Sequence, residues 1–461
     1  MKIKVKNLGA LERAEFTLGD FTIICGGNNT GKTYATYALF GFLLTWRQMV
    51  SIEIPHAKIE ELLSEGVTRI EIEEYVEVAR EAIAKACQTY TRQLPRIFAA
   101  PTQRFKETSF HIILDTKNIR LTNKFKREIA TAKAELFSLD KSEESTELVV
   151  TLLAEKESIK IPIHILDDLI ADALKDIIFS QFMPNPFIAS AERTGAAIFR
   201  KELNFARNRL LEEMGQADKK IDRMELLLKD YQDYALPIKT NVNFTRELET
   251  IFKKSSFIAE HHPDILKDFA DIVGGEYTVT RNDELYYLPN GKRVKLSMDE
   301  SSSAVRSLLD IGFYLRHQAQ IGDLLMVDEP ELNLHPENQR RIARLFARLV
   351  NLGIKVFITT HSDYIVKELN TLIMLNHDKP HLKRIAQTEG YRTEELISAK
   401  KIKVYIAEET LIQLDGKTKR SKCQTLTPAN IDPELGIEAR SFDTTIDAMN
   451  RIQEAIVWGA D

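Results

Sequence analysis

The fold of this chain is decided by residues 26–33, Gly26-Gly27-Asn28-Asn29-Thr30-Gly31-Lys32-Thr33. The stretch matches G-x-x-x-x-G-K-[ST], the phosphate-binding P-loop. Residues 21–25 before it are apolar and β-branched, which predicts a buried strand, and residues 32–46 after it predict a mostly apolar helix. The alternative is a glycine turn that matches the pattern by chance. We favour the P-loop because the strand, the glycines, the Lys-Thr pair and the helix all agree with it.

Each residue type in this loop has a chemical purpose. Glycines allow backbone N–H groups to turn toward phosphate oxygens, and the N-terminus of the following helix adds a partial positive charge. We therefore predict that all eight loop residues bind the phosphates of ATP. Lys32 would reach the β- and γ-phosphates and assist catalysis, and the Thr33 hydroxyl would bind Mg²⁺.

Length and composition are those of an ordinary globular protein. The 461 residues are too many for one compact core, so we expect two or three lobes. A net charge of −5 argues against a chain coated in basic surface, although it leaves room for a local basic patch. Cys25, Cys87 and Cys423 form no C-x-x-C motif, which favours a reducing cytoplasm. The longest apolar run, residues 38–45, is shorter than the ~20 residues of a membrane span, so we expect no membrane contact.

A second half of the nucleotide site is predicted from Asp323-Leu324-Leu325-Met326-Val327-Asp328-Glu329-Pro330. This run is an apolar strand that ends in two acids, which is the Walker B pattern. We predict that Asp328 binds Mg²⁺, directly or through water, and that Glu329 is the general base that deprotonates the attacking water. The alternative is a buried strand followed by an acidic turn, which is weaker because a P-loop is also present.

Two more segments flank the Walker B strand. Residues 354–359 predict another buried strand that leads into Thr360-His361-Ser362. At such a strand end His361 can reach the γ-phosphate and its water, so we predict a catalytic role over a structural one. Ser301-Ser302-Ser303-Ala304-Val305-Arg306 precedes a predicted helix, and its serines either cap that helix or contact a phosphate. Their position shortly before the Walker B strand favours phosphate contact.

The remaining segments predict mostly helices and short strands. A helical stretch from Pro55 to about Leu94 is divided at Gly66, and a capping box at Thr68-x-x-Glu71 would start its second helix. Residues 259–272 predict one helix, and residues 444–458 predict another at the end of the chain. A heptad rhythm over residues 203–228 predicts a helical arm, either a protruding coiled coil or, as we favour, a helix packed on its own lobe.

In their order, the P-loop, Ser302-Ser303-Ala304, the Walker B strand and His361 resemble the ABC-type ATPase head of SMC, RecF and OLD-like proteins. The resemblance covers residues 1–46 and about 290–375. It implies an α/β fold with a P-loop core sheet, an antiparallel side sheet and an inserted helical lobe with a short coiled-coil arm. On this basis we divide the chain into an N-terminal head segment (1–50), an inserted helical and side-sheet region (51–185), a core strand with the arm (186–260), a C-terminal head segment (261–400) and a strand and helix tail (401–461).

In that family ATP holds two heads together, which implies a homo-oligomer with shared sites. Ser302 and Ser303 of one copy would then contact ATP bound to another, and Asn333 would lie in the turn that faces the other subunit. Two departures from the family pattern are present. Ala304 stands where the signature usually has glycine, and no glutamine loop can be assigned, with Gln103 and Gln181 as weak candidates. The departures imply slow, regulatory hydrolysis.

A narrower resemblance is to bacterial defence ATPases of the OLD-like kind. It is based on Phe187-Ile188-Ala189-Ser190-Ala191-Glu192-Arg193-Thr194-Gly195 and on the turn Glu331-Leu332-Asn333-Leu334-His335-Pro336. Residues 404–408 could start the Toprim nuclease domain of that group, but no D-x-D motif follows them. The chain is thus similar to the ATPase subunit of a two-component anti-phage system of the PARIS type. This implies a sensor and scaffold that holds a separate Toprim nuclease until it senses a phage protein.

Two other functions are weighed against this one. A DNA-repair clamp of the RecF or SMC type would bind DNA in an ATP-dependent way, but the acidic net charge does not favour it. A transporter ATPase would need a separate membrane subunit, and the long inserted segments argue against it.

Overall fold

The computed structural model of the protein describes residues 1–115, 119, 121, 123–130, 135–153, 163–199, 234–280, 284–413, 420–438 and 448–456. Its helices are α1 (Lys32–Met49), α2 (His56–Glu65), α3 (Ile72–Ile97), α4 (Ile163–Phe179), α5 (Arg193–Ile198), α6 (Leu236–Arg246), α7 (Leu248–Ile251), α8 (Phe257–His261), α9 (Pro263–Val273), α10 (Ser303–His317), α11 (Pro336–Asn351), α12 (Asp363–Met374) and α13 (Pro380–Thr388). Its strands are β1 (Lys2–Leu8), β2 (Leu11–Thr17), β3 (Phe21–Gly26), β4 (Val67–Glu71), β5 (Ser109–Ile113), β6 (Phe125–Ala130), β7 (Glu135–Lys141), β8 (Glu147–Leu152), β9 (Pro186–Ala189), β10 (Gly275–Val279), β11 (Leu285–Pro289), β12 (Leu296–Ser297), β13 (Leu324–Asp328), β14 (Lys355–Thr360), β15 (Ile402–Gln413), β16 (Arg420–Pro428), β17 (Ile431–Asp432) and β18 (Gly436–Ile437).

The chain forms two units, of which the larger contains residues 5–41, 94–108 and 185–461. Its centre is a six-stranded sheet in the order β16-β15-β3-β14-β13-β9. Neighbouring strands from β15 to β9 are parallel, and β16 pairs with β15 in the antiparallel sense. Strands β3 and β13 are buried along their whole length, which explains their continuous apolar sequences. This arrangement confirms the predicted α/β fold with a P-loop core sheet, that of an ABC-type ATPase head.

Amphipathic helices cover the core sheet and complete the hydrophobic core. Helix α11 begins at Pro336, after His335 caps it through its ring nitrogen, and it buries Ile342, Phe346 and Leu349. Helix α10 contributes residues to two clusters of buried side chains, which include Leu308 in one and Leu309 in the other. The helices on either side of the Walker B strand in sequence, α10 before it and α11 after it, are therefore held by the core itself.

The smaller unit contains residues 1–4, 42–93 and 109–184. It has an antiparallel sheet in the order β4-β8-β7-β6, in agreement with the predicted antiparallel side sheet. The rings of Phe42, Tyr90 and Phe110 pack against one another, with ring centroids 4.9–5.5 Å apart. Aromatic packing thus contributes to the interior of this unit.

The capping box predicted at Thr68 is wrong. Residues 67–71 form strand β4, in which Thr68 and Ile70 are buried and the residues on either side are exposed. The alternation of buried and exposed side chains matches a sheet with one face packed, and the helix begins only at Ile72. The helix predicted over residues 259–272 is in fact two, because Pro263 forces the preceding His262 out of the helical conformation.

Two predictions involve residues outside the described ones. The helical arm predicted over residues 203–228 lies entirely outside them, and of the predicted C-terminal helix only residues 448–456 are described, all of them helical. Strands β10 and β11 pair in the antiparallel sense, with Glu276 opposite Leu288. Among the described residues no helix is long and apolar enough to cross a membrane.

We expect Gly312→Ala to destabilise the larger unit. A Cβ atom at Gly312 of α10 would lie 2.7 Å from the Phe269 ring and 3.0 Å from the Tyr277 ring, so these core rings would have to move. Overpacking of this kind costs about 1–3 kcal/mol, measurable by urea denaturation. Gly195→Ala is the matched control, since Gly195 also lies in a helix and a Cβ there would meet no atom within 4 Å. Equal stabilities of the two variants would contradict the packing argument.

Candidate functional site

The carboxyl ends of four parallel strands meet at one edge of the core sheet. Cys25 of β3 pairs with Thr360 of β14, and Thr359 of β14 pairs with Asp328 of β13. The P-loop follows β3, His361 follows β14 and Glu329 follows β13, so the three predicted segments leave the sheet at the same edge. Ligands bind at this edge in open parallel sheets.

The P-loop adopts a backbone that its glycines make possible. Gly26 has a φ of 143°, and a Cβ atom there would lie 2.5 Å from the Ala407 carbonyl oxygen of β15. Gly31 has a φ of 93°, and a Cβ atom there would collide with the Leu11 side chain. A side chain at either position is therefore excluded by backbone conformation and by space. The tip of the loop, residues 27–29, is exposed, and the Thr30 hydroxyl closes it with a 2.9 Å bond to the Gly27 carbonyl.

Lys32 lies folded against its own loop. Its Nζ donates hydrogen bonds to the carbonyl oxygens of Gly26 and Gly27, at 3.1 and 2.7 Å, and lies 3.5 Å from Nδ1 of His361. Burial lowers the pKa of Lys32, while the carboxylates of Glu329 and Asp328 oppose that shift. A cation held beside exposed loop N–H groups is suited to meet an anionic ligand.

The predicted metal ligands lie next to each other. The Thr33 hydroxyl lies 3.4 Å from Oδ2 of Asp328, and the other carboxylate oxygen of Asp328 accepts a bond from the Thr359 hydroxyl. Burial is the main reason that the pKa of Asp328 is raised, and repulsion from Glu329 and Glu192 adds to it. A divalent cation would relieve this repulsion. Mg²⁺ is usually held by one or two protein oxygens together with substrate phosphates, and this donor set fits it.

Glu329 and His361 form a directed pair. Nε2 of His361 lies 2.9 Å from Oε1 of Glu329, while its Nδ1 faces the Lys32 ammonium group. A carboxylate only accepts and an ammonium group only donates, so this network assigns the proton to Nε2 and the lone pair to Nδ1. The hydrogen bond from His361 also holds the pKa of Glu329 below its usual value. The acid is thereby kept ionised, as a general base must be.

The backbone of Glu329 is unusual as well. Its φ of 51° is in the left-handed region, which non-glycine residues adopt rarely and mostly at functional sites. Its N–H donates to the carbonyl and the hydroxyl oxygens of Thr359, at 3.1 and 3.2 Å. Glu331 anchors the neighbouring strand end by accepting bonds from the Thr360 hydroxyl and the His361 N–H, at 2.9 and 2.6 Å. The turn after β13 and the end of β14 are thus held together by side chains.

Among the described residues, no hydrogen bond joins Ser302, Ser303 or Asn333 to the P-loop. The Ser302 hydroxyl caps α10 by accepting from the Val305 N–H at 3.3 Å, and the Ser303 hydroxyl lies 3.2 Å from Arg306. Ser302, Ser303 and Asn333 are exposed, and Asn333 has a left-handed φ of 61°. Capping, the structural alternative for Ser302, is therefore present, while a contact with a second subunit stays a prediction.

Glu192 and Arg193 also lie at this site, although no residue pattern in the sequence indicates a chemical role for them. They follow β9, the strand beside β13, so they lie at the same sheet edge as the other segments. Oε2 of Glu192 accepts a 2.9 Å bond from the Tyr37 hydroxyl of α1. In the sequence, the only indication of this position is that Glu192 and Arg193 follow a short apolar strand. The sheet order, with β9 beside β13, is what brings them close to Asp328 and Glu329. Of the weak glutamine-loop candidates, Gln103 is exposed in a short 3₁₀ helix, and Gln181 belongs to the smaller unit.

These features define the class of protein. A P-loop, a Walker B acid pair and a histidine between them, at one edge of a parallel sheet, are the features of a P-loop ATPase. A model of the AAA ATPase domain family AAA_15 matches residues 1–366. The chain therefore belongs to that family.

Solved structures similar to this chain include three SMC heads. One is an SMC head bound to the C-terminal winged-helix domain of ScpA (12% identity, TM-score 0.31, 92% of this chain and 97% of that one). A second is a Pyrococcus furiosus SMC head with an extended coiled coil bound to a ScpA domain (14%, 0.28, 98% and 98%), and a third is the Thermotoga maritima SMC head (11%, 0.27, 94% and 98%). TM-scores this low carry no argument, and the fold follows from the sheet topology itself. No curated protein matches the chain.

We expect stability to fall with rising pH because of Asp310. This carboxylate lies on α10, and burial raises its pKa to about 7 although the charge of Arg193 opposes the shift. In the unfolded chain the pKa of this aspartate is about 3.9, so between about pH 4 and pH 7 the folded state binds more protons than the unfolded state. The free energy of unfolding should therefore fall by up to about 1.4 kcal/mol per pH unit in this window.

Urea denaturation from pH 4.5 to pH 8 measures this slope. Asp310→Asn should flatten it, because the amide does not titrate, whereas Asp271→Asn at an exposed position should not. The charged guanidinium group of Arg193 and the neutral hydroxyl of Tyr277 interact with Asp310, and both remain in each variant. Identical slopes in wild type and Asp310→Asn would show that Asp310 is ionised throughout.

Proposed function

We propose that this chain hydrolyses ATP slowly, as a regulatory subunit. The observation that carries the proposal is the bridge from Lys32 through His361 to Glu329, beside the pair formed by Thr33 and Asp328. These contacts bring together the Lys32 cation for phosphate binding, the Glu329 base, and the Thr33 and Asp328 oxygen atoms for the metal ion. Bound Mg²⁺ would supply charge neutralisation to the phosphates.

The roles of the residues follow from their contacts. Lys32 releases the loop carbonyls and pairs with the β- and γ-phosphates. Glu329, kept ionised by His361, accepts the proton of the attacking water, and His361 holds the orientation of its carboxylate. Thr33 and Asp328 present oxygen atoms to the metal.

We further propose a homo-oligomer in which one copy completes the site of another. Its support is the exposure of Ser302, Ser303 and Asn333 at the start of α10 and in the turn after β13. In this arrangement ATP would be held between two subunits. Ala304 in place of the usual glycine hinders close backbone approach, which agrees with slow turnover.

The biological setting that we propose is anti-phage defence in the cytoplasm. The subunit would sense a phage protein and hold or release a separate Toprim nuclease. The support is the resemblance of residues 187–195 and 331–336 to OLD-like motifs. In addition, residues 404–408, the best sequence match to the start of a Toprim domain, lie in β15, and residues 404–407 pair with β3 of the ATPase sheet.

We expect Lys32→Ala to abolish ATP binding and Glu329→Gln to leave binding intact while lowering turnover about 100-fold or more. The lysine supplies charge to bound phosphates in every state, whereas the glutamate acts only in the transition state. Phosphate release and binding of a fluorescent ATP analogue measure the two effects. Arg341→Ala, an exposed arginine of α11 with an ion pair to Glu337, is the control. Full turnover in Glu329→Gln would refute the assignment of the base.

We expect the protein to co-purify with a Toprim nuclease encoded beside it when both are expressed together. The complex should depend on the nucleotide state and should be lost or altered in Lys32→Ala. A gel shift with duplex DNA at several salt concentrations is the companion measurement. ATP-dependent DNA binding with a steep salt dependence, and no association with the nuclease, would favour a RecF- or SMC-like clamp instead.

A further inference from the structure

Arg193 is the largest fully buried side chain of the described residues, with 1% of its surface exposed. An arginine is almost never buried unless its charge is paired or all its donors are used, because loss of hydration is costly. Burial lowers the pKa of this guanidinium group, and the acids around it oppose that shift. Its position must therefore be maintained by specific contacts.

Those contacts are all to backbone carbonyl oxygens. Nε donates to Ser307 at 2.7 Å, one terminal nitrogen donates to Ser190 at 2.8 Å and Asp328 at 2.6 Å, and the other donates to Glu329 at 2.9 Å. No carboxylate of the described residues accepts a hydrogen bond from it. The guanidinium group thus binds the main chain of three segments. These are the residue after β9, helix α10, and the end of β13 with the residue that follows it.

Two of these carbonyls belong to the segment that carries out the proposed chemistry. Asp328 and Glu329 are consecutive, and the backbone turns into the left-handed region at Glu329. Bonds to both carbonyls fix the peptide units on either side of that residue. The direction of its side chain, toward His361 at 2.9 Å, follows from this backbone. Arg193 therefore holds the strained turn in the conformation that aims the carboxylate.

The bond to Ser307 adds a mechanical link. Ser307 lies one turn into α10, and its hydroxyl donates to the Leu332 carbonyl at 3.0 Å in the turn beyond Glu329. The same helix begins with exposed Ser302 and Ser303. A shift of α10 would move the Ser307 carbonyl, which the Nε group of Arg193 holds rigidly to the Walker B turn.

We propose that Arg193 is a positioning residue that sets the orientation of Glu329 and couples it to the position of helix α10. It does not touch the nucleotide, and it acts through main-chain carbonyls. The inference rests on the proposed ATPase function. If α10 is displaced when its serines meet a ligand or a second copy, the movement reaches the base through this side chain.

The test measures three single variants, Arg193→Met, Arg193→Lys and Glu329→Gln. It also measures two double variants, in which Glu329→Gln is combined with each arginine substitution. Arg193→Met should lower kcat about 100-fold, as expected for a misplaced base, and should change the ATP dissociation constant by less than about threefold. Lysine keeps the charge but lacks the planar fork that spans several carbonyls, so Arg193→Lys should not restore kcat. Adding Glu329→Gln should lower kcat no further, because the two residues act as one unit.

Arg348→Met is the matched control for the loss of a buried arginine. Arg348 is buried on α11 and pairs with Asp264 and Asp268. The Arg348→Met variant should lose thermal stability while its kcat per folded molecule stays within about twofold, since Asp264 and Asp268 lie on α9 and not in the Walker B turn. Circular dichroism melts confirm that each variant is folded, and Arg193→Lys serves if Arg193→Met does not fold.

Three outcomes would overturn the proposal. These are normal kcat in Arg193→Met, restoration of kcat by lysine, and an additive further loss when Glu329→Gln is combined with either variant. Failure of the proposed function is distinct, because it would appear as full turnover in Glu329→Gln alone, and it would overturn both proposals.

Discussion

The parallel register of β3, β14 and β13 is the constraint on which the site depends. The pairs Cys25 with Thr360 and Thr359 with Asp328 align the carboxyl ends of strands that are more distant in sequence than any local interaction can connect. A slip by one residue would turn each strand's buried side chains to the other face. Because these strands are apolar and buried on both sides, such a slip is penalised by the whole core. The hydrophobic core therefore fixes the distances within a polar site.

The site concentrates charge where water is scarce. Asp328, Glu331 and Asp310 all have raised pKa values for which burial is the first cause, and buried Arg193 lies among them. Such groups cost stability unless their hydrogen bonds are satisfied. Both oxygens of Asp310 and one of Glu331 lack a hydrogen-bond partner among the described residues. The fold accepts this cost at the edge where a nucleotide and a metal ion would add charges of their own, a pattern that is typical of functional sites.

Much of the fold and the site was predictable from sequence because two signals coincide there. Strand β13 is an apolar run that ends at Asp328, and His361 comes directly after the mostly apolar and β-branched strand β14. Elsewhere only one signal was present. Thr68 belongs to a strand whose alternation was masked by a capping pattern, and β15 joined the core sheet although it had been assigned to a tail. Pairing partners of strands are set by tertiary contacts, and local propensity contains little information about them.

The sequence by itself determined the P-loop motif, the acids Asp328 and Glu329 at a strand end and the position of His361 after another strand, because these depend on residue type and on short spacing along the chain. Tertiary structure alone decided that Arg193, which is distant in sequence from Ser307 and Glu329, binds the main chain of both. Main-chain carbonyls are identical at every position, so no residue pattern marks them as partners. The folded sheet places β9 beside β13, and α10 packs close to both. This arrangement determines which carbonyl groups the buried guanidinium group can reach.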